Sequence, residues 1–368
     1  MENEIKKEEQ TSTEEQNSTK NSKRFLKNEH YMNSLNVETK NSMKNRILIG
    51  AMLVLIVVPC LVLGEYVFAA LVAFTSLIAC HEIINTPQSL EKRFHWVLYV
   101  FAYIMMASLI FWVIIRNNLE SWKANPNDFT FNLSLGFKGP RISLAGFFIC
   151  VSFFFFDALV DKKFKMNDAF YFIGMLLIIS VGFQSILFLR YAPESYAFLG
   201  GEETLSIIDT NGFKYGQSML LVFYMLMGTC LNDVGAYFIG VTFGKHKMCP
   251  NVSPKKTWEG FIGGVVVSLA STLTFALSLD ASGIPLMAGV LDLEHWYNVL
   301  ILSLIMPIFG VFGDLLFSQI KRTYNIKDFG KALKSHGGIL DRLDSIFIVS
   351  IVMSLLIEVM AHNWSILS

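Results

Sequence analysis

The chain repeats, nine times, a run of about 20 residues almost free of charge, and nothing else in it constrains the fold as strongly. The runs fall at 47–64, 66–84, 95–115, 142–160, 169–189, 217–243, 260–279, 298–320 and 345–361. Each approaches the ~20 residues that carry an α-helix across the hydrocarbon core of a bilayer. No water is present there to bond an exposed peptide group, so a crossing segment folds as a helix with its backbone paired internally. The composition agrees: 53% hydrophobic residues, 16% charged residues and a mean hydropathy of +0.47 lie far from the balance of a water-soluble chain. The expected fold is all-α, a polytopic membrane protein of about nine transmembrane helices. Its first two runs, separated only by Gly64 and Glu65, form either a tight hairpin or one kinked element.

Ahead of these runs, residues 1–45 are rich in Glu, Lys, Asn, Ser and Thr. They offer too little apolar surface to offset ordering entropy, and are expected to form a disordered cytoplasmic tail. The remainder divides by content into N-terminal transmembrane helices, 46–216, and a C-terminal transmembrane region, 217–368, where polar exceptions cluster and catalysis is expected. With 30 basic and 30 acidic residues the formal net charge is zero, so bulk charge gives no argument for nucleic-acid binding and position must carry the information. If the tail is cytoplasmic, the later loops on its side hold fifteen Lys and Arg, from Lys92 to Arg342, against six on the other side, among them Arg190. That is the positive-inside bias, and it turns the active-site loops toward the compartment that holds nucleotides. Four of the five cysteines lie inside apolar runs, with no Cys-x-x-Cys pair, and are read as small buried hydrophobes.

Two C-terminal stretches carry the chemistry. In 231–263, Asn232 and Asp233 lie within the sixth run, where a charge costs at least about 2.5–3.5 kcal/mol and so marks a site or a lined cavity. A basic loop follows with Ser253, Lys255, Lys256 and Thr257, and Glu259 stands at the start of the next helix. Ammonium groups, a hydroxyl and unpaired backbone N–H groups at a helix N-terminus form a donor set that phosphates bind. A positive-inside anchor would explain lysines alone, but it needs neither the hydroxyl nor the carboxylate, and no Walker-type glycine loop is present.

In 313–344, Asp314 and Ser318 are four apart and share a helix face that leads to Lys321 and Arg322. Asp341 and Asp344 are three apart, on one side of a helix that begins after Gly337 and Gly338. Three carboxylates and a hydroxyl are oxygen ligands of the kind Mg2+ takes, its other positions going to water and substrate phosphates. Lys321, Arg322, Lys327 and Arg342 would neutralise phosphate charge, although a structural ion-pair network has the same inventory. His336 could donate to phosphate, act as acid or base, or close a turn.

Taken together, Ser318, Lys321-Arg322, Lys327-Asp328, His336-Gly337-Gly338 and Asp341-Arg342-Leu343-Asp344 resemble the signature of the phosphatidate cytidylyltransferases, or CDP-diacylglycerol synthases. The SPKKTWEG run at 253–260 and the spacing of Asp233, Ala236 and Tyr237 are also similar to that family. The resemblance covers 231–345, and the N-terminal half matches in hydropathy only. Where many members have Pro-Gly before the His-Gly-Gly, this chain has Lys334 and Ser335.

The resemblance implies an enzyme of phospholipid biosynthesis that transfers a cytidylyl group from CTP to phosphatidate, giving CDP-diacylglycerol and pyrophosphate. It implies Mg2+, with room for a second ion, on Asp314, Ser318, Asp341 and Asp344, and CTP on Asn232, Asp233, Ser253, Lys255, Lys256, Thr257 and Glu259. Lys321, Arg322, Lys327, Asp328, His336 and Arg342 would serve catalysis at the phosphates. Expected partners are CTP, phosphatidate and membrane lipid, without nucleic acid, and a homodimer stays open. A bacterial plasma membrane is favoured over the endoplasmic reticulum. Two other readings stand beside this one: another CTP-dependent lipid enzyme such as a polyprenol kinase, and an ion-coupled transporter using Asp233 and Asp314. Absence of a paired repeat between the halves weighs against the transporter.

Overall fold

The structure, a computed structural model, describes residues 52, 54–88, 94–124, 144–198, 216–330, 337–361 and 364. By internal packing the chain separates into Met1–Val54 and Leu55–Ser368, and the second unit holds the fold. The expected tail at 1–45 lies outside the described residues, as does His336.

Nine helices stand among the described residues, where the apolar runs predict them: α1 Val54–Leu63, α2 Glu65–Gln88, α3 Trp96–Ala124, α4 Leu144–Val160, α5 Met166–Phe198, α6 Gly216–Phe243, α7 Trp258–Ala281, α8 Trp296–Thr323 and α9 Leu340–Ala361. Six of them, α2 and α5 to α9, are long and apolar enough to cross a membrane by length and composition. The apolar parts of α1, α3 and α4 run only 10–17 residues. Among the described residues the structure therefore supports six spans, and the nine that the sequence predicts are not confirmed. Large apolar side chains such as Phe74, Phe148, Phe156 and Phe238 stand exposed on the helix surfaces, as contact with lipid rather than water requires. The chain is an integral membrane protein, all-α except for a single small hairpin among the described residues.

The longest seam joins α6 to α7, while α9 packs between α8 and α5. Gly260, Gly263 and Gly264 on α7 face Ala236, Ile239 and Asn232 on α6. This small-residue spacing lets two helix backbones approach closely where no hydrophobic effect drives them together. A Cβ at Gly264 would lie 2.7 Å from both the carbonyl oxygen and the Oδ1 of Asn232, so only glycine fits. Toward the chain's start the core is aromatic, with Phe94 and Phe164 edge to face at 5.4 Å and Phe154 stacked on Phe172 at 5.4 Å.

Arg190, expected in a loop, is fully buried. Its Nε donates to the carbonyl of Leu61 at 3.1 Å, satisfying the C-terminus of α1 where Gly64 turns with φ +61°. All five cysteines are free, and only Cys80 and Cys150 are buried. Cys230 is exposed on a helix surface and so departs from the expected burial.

Candidate active site

A hairpin seats the basic run of the first stretch. Lys247–Cys249 (β1) pairs antiparallel with Ser253–Thr257 (β2), Lys247 opposite Thr257 and Cys249 opposite Ser253. The residues expected in a loop therefore form a strand, with Pro254 tolerated because both strands of a two-stranded ribbon are edges. Thr257 ends the strand and caps α7, its Oγ1 accepting from the Gly260 amide at 3.2 Å. Glu259, in the first turn of α7, accepts from the His246 amide at 3.2 Å and pairs with the His246 ring. Its carboxylate thus ties the hairpin to the helix.

Where β2 runs into the start of α7, a cavity of about 220 Å3 opens that reaches residues inside α6 and α8. Its polar wall is Asp233, Lys255, Lys256, Thr257 and Asp314, and its apolar wall is Ala236, Tyr237, Met248, Gly260, Phe261 and Val311. Lys256 Nζ stands 2.6 Å from Asp314 Oδ2 and 3.5 Å from the Val311 carbonyl, while Lys255 is exposed at the rim. Ser318 Oγ donates to Asp314 Oδ1 at 3.3 Å, as their shared face predicts. Asn232, beside Asp233, is fully buried between α6 and α7, and neither atom of its side-chain amide has a hydrogen-bond partner. Ser253 is half-buried at the start of β2.

The connection from α8 to α9 forms a second polar cluster. Asn325, with φ +54°, turns the chain out of α8. Lys321 Nζ lies 2.8 Å from Asp341 Oδ1, with side chains only 10% and 6% exposed, and also sits over the Phe329 ring. Asp341 Oδ2 accepts from the amides of Phe329 at 2.8 Å and Gly338 at 2.9 Å. Gly337 supplies the left-handed turn, φ +80°, before α9 begins. Asp344, one turn further on, is buried within Coulombic reach of Asp341, Lys321 and Asp314. Asp233 is likewise within reach of Asp314. Arg322 is exposed, its Nε donating to Val252 at 3.4 Å and its Nη1 to Ile326 at 3.3 Å, and so holds the hairpin turn to the end of α8. Lys327, Asp328 and Arg342 are exposed.

The set read from the sequence as a metal centre is divided in the structure. Asp314 and Ser318 belong to the cavity, Asp341 to an ion pair with Lys321, and Asp344 lies between the two. Among the described residues no three of His, Cys, Asp and Glu gather closely enough to hold a metal by themselves. One participant went unread in the sequence: Glu82 of α2, whose carboxylate accepts from the amides of Ile339 and Leu340 at 2.9 Å each. A carboxylate inside an apolar run was the available signal.

Residues 44–360 match the sequence model of the Cytidylyltransferase family. The chain is 26% identical over 307 residues to the phosphatidate cytidylyltransferase of Bacillus subtilis, covering 83% of this chain and 94% of that one. It is 29% identical over 317 residues to the protein of that name from Staphylococcus haemolyticus, covering 86% and 100%. Identity to the Mycobacterium tuberculosis protein of the same name is 41% over 125 residues, 34% of each chain.

Proposed function

The chain belongs to the cytidylyltransferase family, and from that premise we infer that it transfers the cytidylyl group of CTP to phosphatidate, giving CDP-diacylglycerol and pyrophosphate. The observation that carries the reading is the cavity where Lys255 and Lys256 meet Asp233 and Asp314, carboxylates set inside membrane-spanning helices. A site of that kind serves a substrate whose head is a phosphate and whose body is lipid.

The phosphate monoester of phosphatidate is already a nucleophile. One of its oxygens attacks the α-phosphorus of CTP and forms a P–O bond. The bond from that phosphorus to the bridging oxygen breaks, and pyrophosphate leaves with the electron pair. The protein's share is therefore position and charge. Lys255 and Lys256 hold the triphosphate, aided by the N-terminal amides of α7 that Thr257 and Glu259 orient through the hairpin. Asn232, fully buried beside Asp233 with an unpaired amide, does not line the cavity. Arg322, Lys327 and Arg342 form the cationic approach for the lipid phosphate.

The donor set fits Mg2+ in its usual mode, in which one or two carboxylates are completed by water and substrate phosphates. Asp233 and Asp314 present that pair on the cavity wall, Ser318 steadies Asp314, and Asp344 adds negative charge from the adjoining helix. Bound there, the ion supplies positive charge for the α-phosphoryl oxygens and the leaving pyrophosphate. The positive-inside bias supports a cytoplasmic site, and the organisms of the relatives support a bacterial plasma membrane.

The test is conversion of labelled CTP and phosphatidate by purified protein in mixed micelles, with products identified. CDP-diacylglycerol and pyrophosphate are expected, lost with chelator and restored by Mg2+. CDP together with a newly phosphorylated lipid would overturn the reading in favour of a kinase.

A further inference from the structure

Glu82 lies about two turns before the end of α2, is 3% exposed, and is distant in sequence from every motif that carries the resemblance. Its two oxygens accept from the amides of Ile339 and Leu340, one each at 2.9 Å. These are unsatisfied donors at the N-terminus of α9, the positive end of that helix's dipole. A buried N–H without a partner is costly in an apolar surround, and an ionised acceptor makes the stronger bond. The backbone is fitted to the carboxylate as well. A Cβ at Gly338 would stand 2.4 Å from Glu82 Oε2, and one at Gly330 would stand 2.5 Å from Oε1. Glycines on both approaches to α9 thus make room for one acid from the other half of the chain.

That acid meets the turn that carries Asp341 and leads to Asp344. Asp341, which accepts from Gly338, and Asp344 are the second and fifth residues of α9, and Asp344 is within Coulombic reach of Asp314 at the cavity. We propose that Glu82 is a positioning residue for cytidylyl transfer: it clamps the start of α9 and so sets where Asp341 and Asp344 stand relative to the CTP cavity. It is not among the residues that line the cavity, so its effect falls on turnover and not on capture of CTP. The proposal rests on the cytidylyltransferase reading.

The test uses full-length protein in mixed micelles, with initial rates over a range of CTP concentrations beside thermal unfolding. Glu82→Gln keeps the shape but sets an NH2 against one backbone N–H. It is expected to lower kcat at least about tenfold with KM for CTP within about twofold of wild type. The unfolding midpoint should fall by only a few degrees, too little to unfold the protein at the assay temperature. Gly338→Ala should give the same defect by crowding the carboxylate, and adding Glu82→Asp, one methylene shorter, should recover part of the lost kcat. A Glu82→Gln kcat within about twofold of wild type would overturn the proposal. So would a loss that tracks the unfolding midpoint, or an Asp substitution that merely adds to the Gly338→Ala defect. Wild-type protein yielding no CDP-diacylglycerol would instead sink the reading on which the proposal rests.

Discussion

Replacing Lys256 with Met removes an ammonium group while keeping an unbranched side chain of similar reach, and the structure separates the two consequences. Lys256 Nζ is 2.6 Å from Asp314 Oδ2, but the side chains are 22% and 33% exposed. An ion pair so open to solvent stabilises by about 1 kcal/mol or less, and the unfolding midpoint should move by no more than a few degrees. Lys256 also faces the cavity that would receive the triphosphate. A fixed cation at developing phosphoryl charge is worth roughly 3–4 kcal/mol, or about 10²- to 10³-fold in kcat/KM. Initial rates with labelled CTP and intrinsic tryptophan fluorescence on heating measure the two effects separately. Turnover within about threefold of wild type would refute the placement of the nucleotide phosphates at Lys256, and so would a midpoint loss large enough to account for the lost activity.

Asp341→Asn leaves the buried Lys321 ammonium without its countercharge, so stability should fall by about 3–5 kcal/mol, visible as a lowered midpoint even without substrate. Gly264→Ala forces a Cβ to 2.7 Å from Asn232 and should part α6 from α7, costing about 1–3 kcal/mol and reducing activity and midpoint together. In the segment between α7 and α8, burial pushes the Asp292 carboxyl up, but hydrogen bonds from the His295 ring and from the amides of His295 and Gly289 outweigh it and hold the group below the usual carboxylate range. The stability it adds is present above the unfolded-state value and fades as pH falls through the lowered folded value. Thermal unfolding measured across acid pH should show that decline in wild type and a flatter curve in Asp292→Asn.

Charge-free length was legible residue by residue because a helix in lipid satisfies its own backbone, so the positions of α1 to α9 follow from local composition alone. The Asp314–Ser318 contact was legible for a similar reason, since a four-residue spacing within one helix needs no distant partner. The hairpin was not. Ser-Pro-Lys-Lys-Thr has no apolar alternation, and what makes it a strand is pairing with Lys247–Cys249. Glu82 stood in plain view as a carboxylate in an apolar run, but its partners lie 257 and 258 residues away.

What the amino-acid string decided unaided was membrane residence, helix placement and the inventory of acids, lysines and hydroxyls, because each depends on neighbours a few positions away. Which acid answers which cation was settled only by packing. Asp314 pairs with Lys256 across the hairpin, and Asp341 pairs with Lys321 inside the α8–α9 connection. Electrostatic partnership falls off with distance through space, and that distance is set by how the hairpin and the helices pack, not by sequence separation.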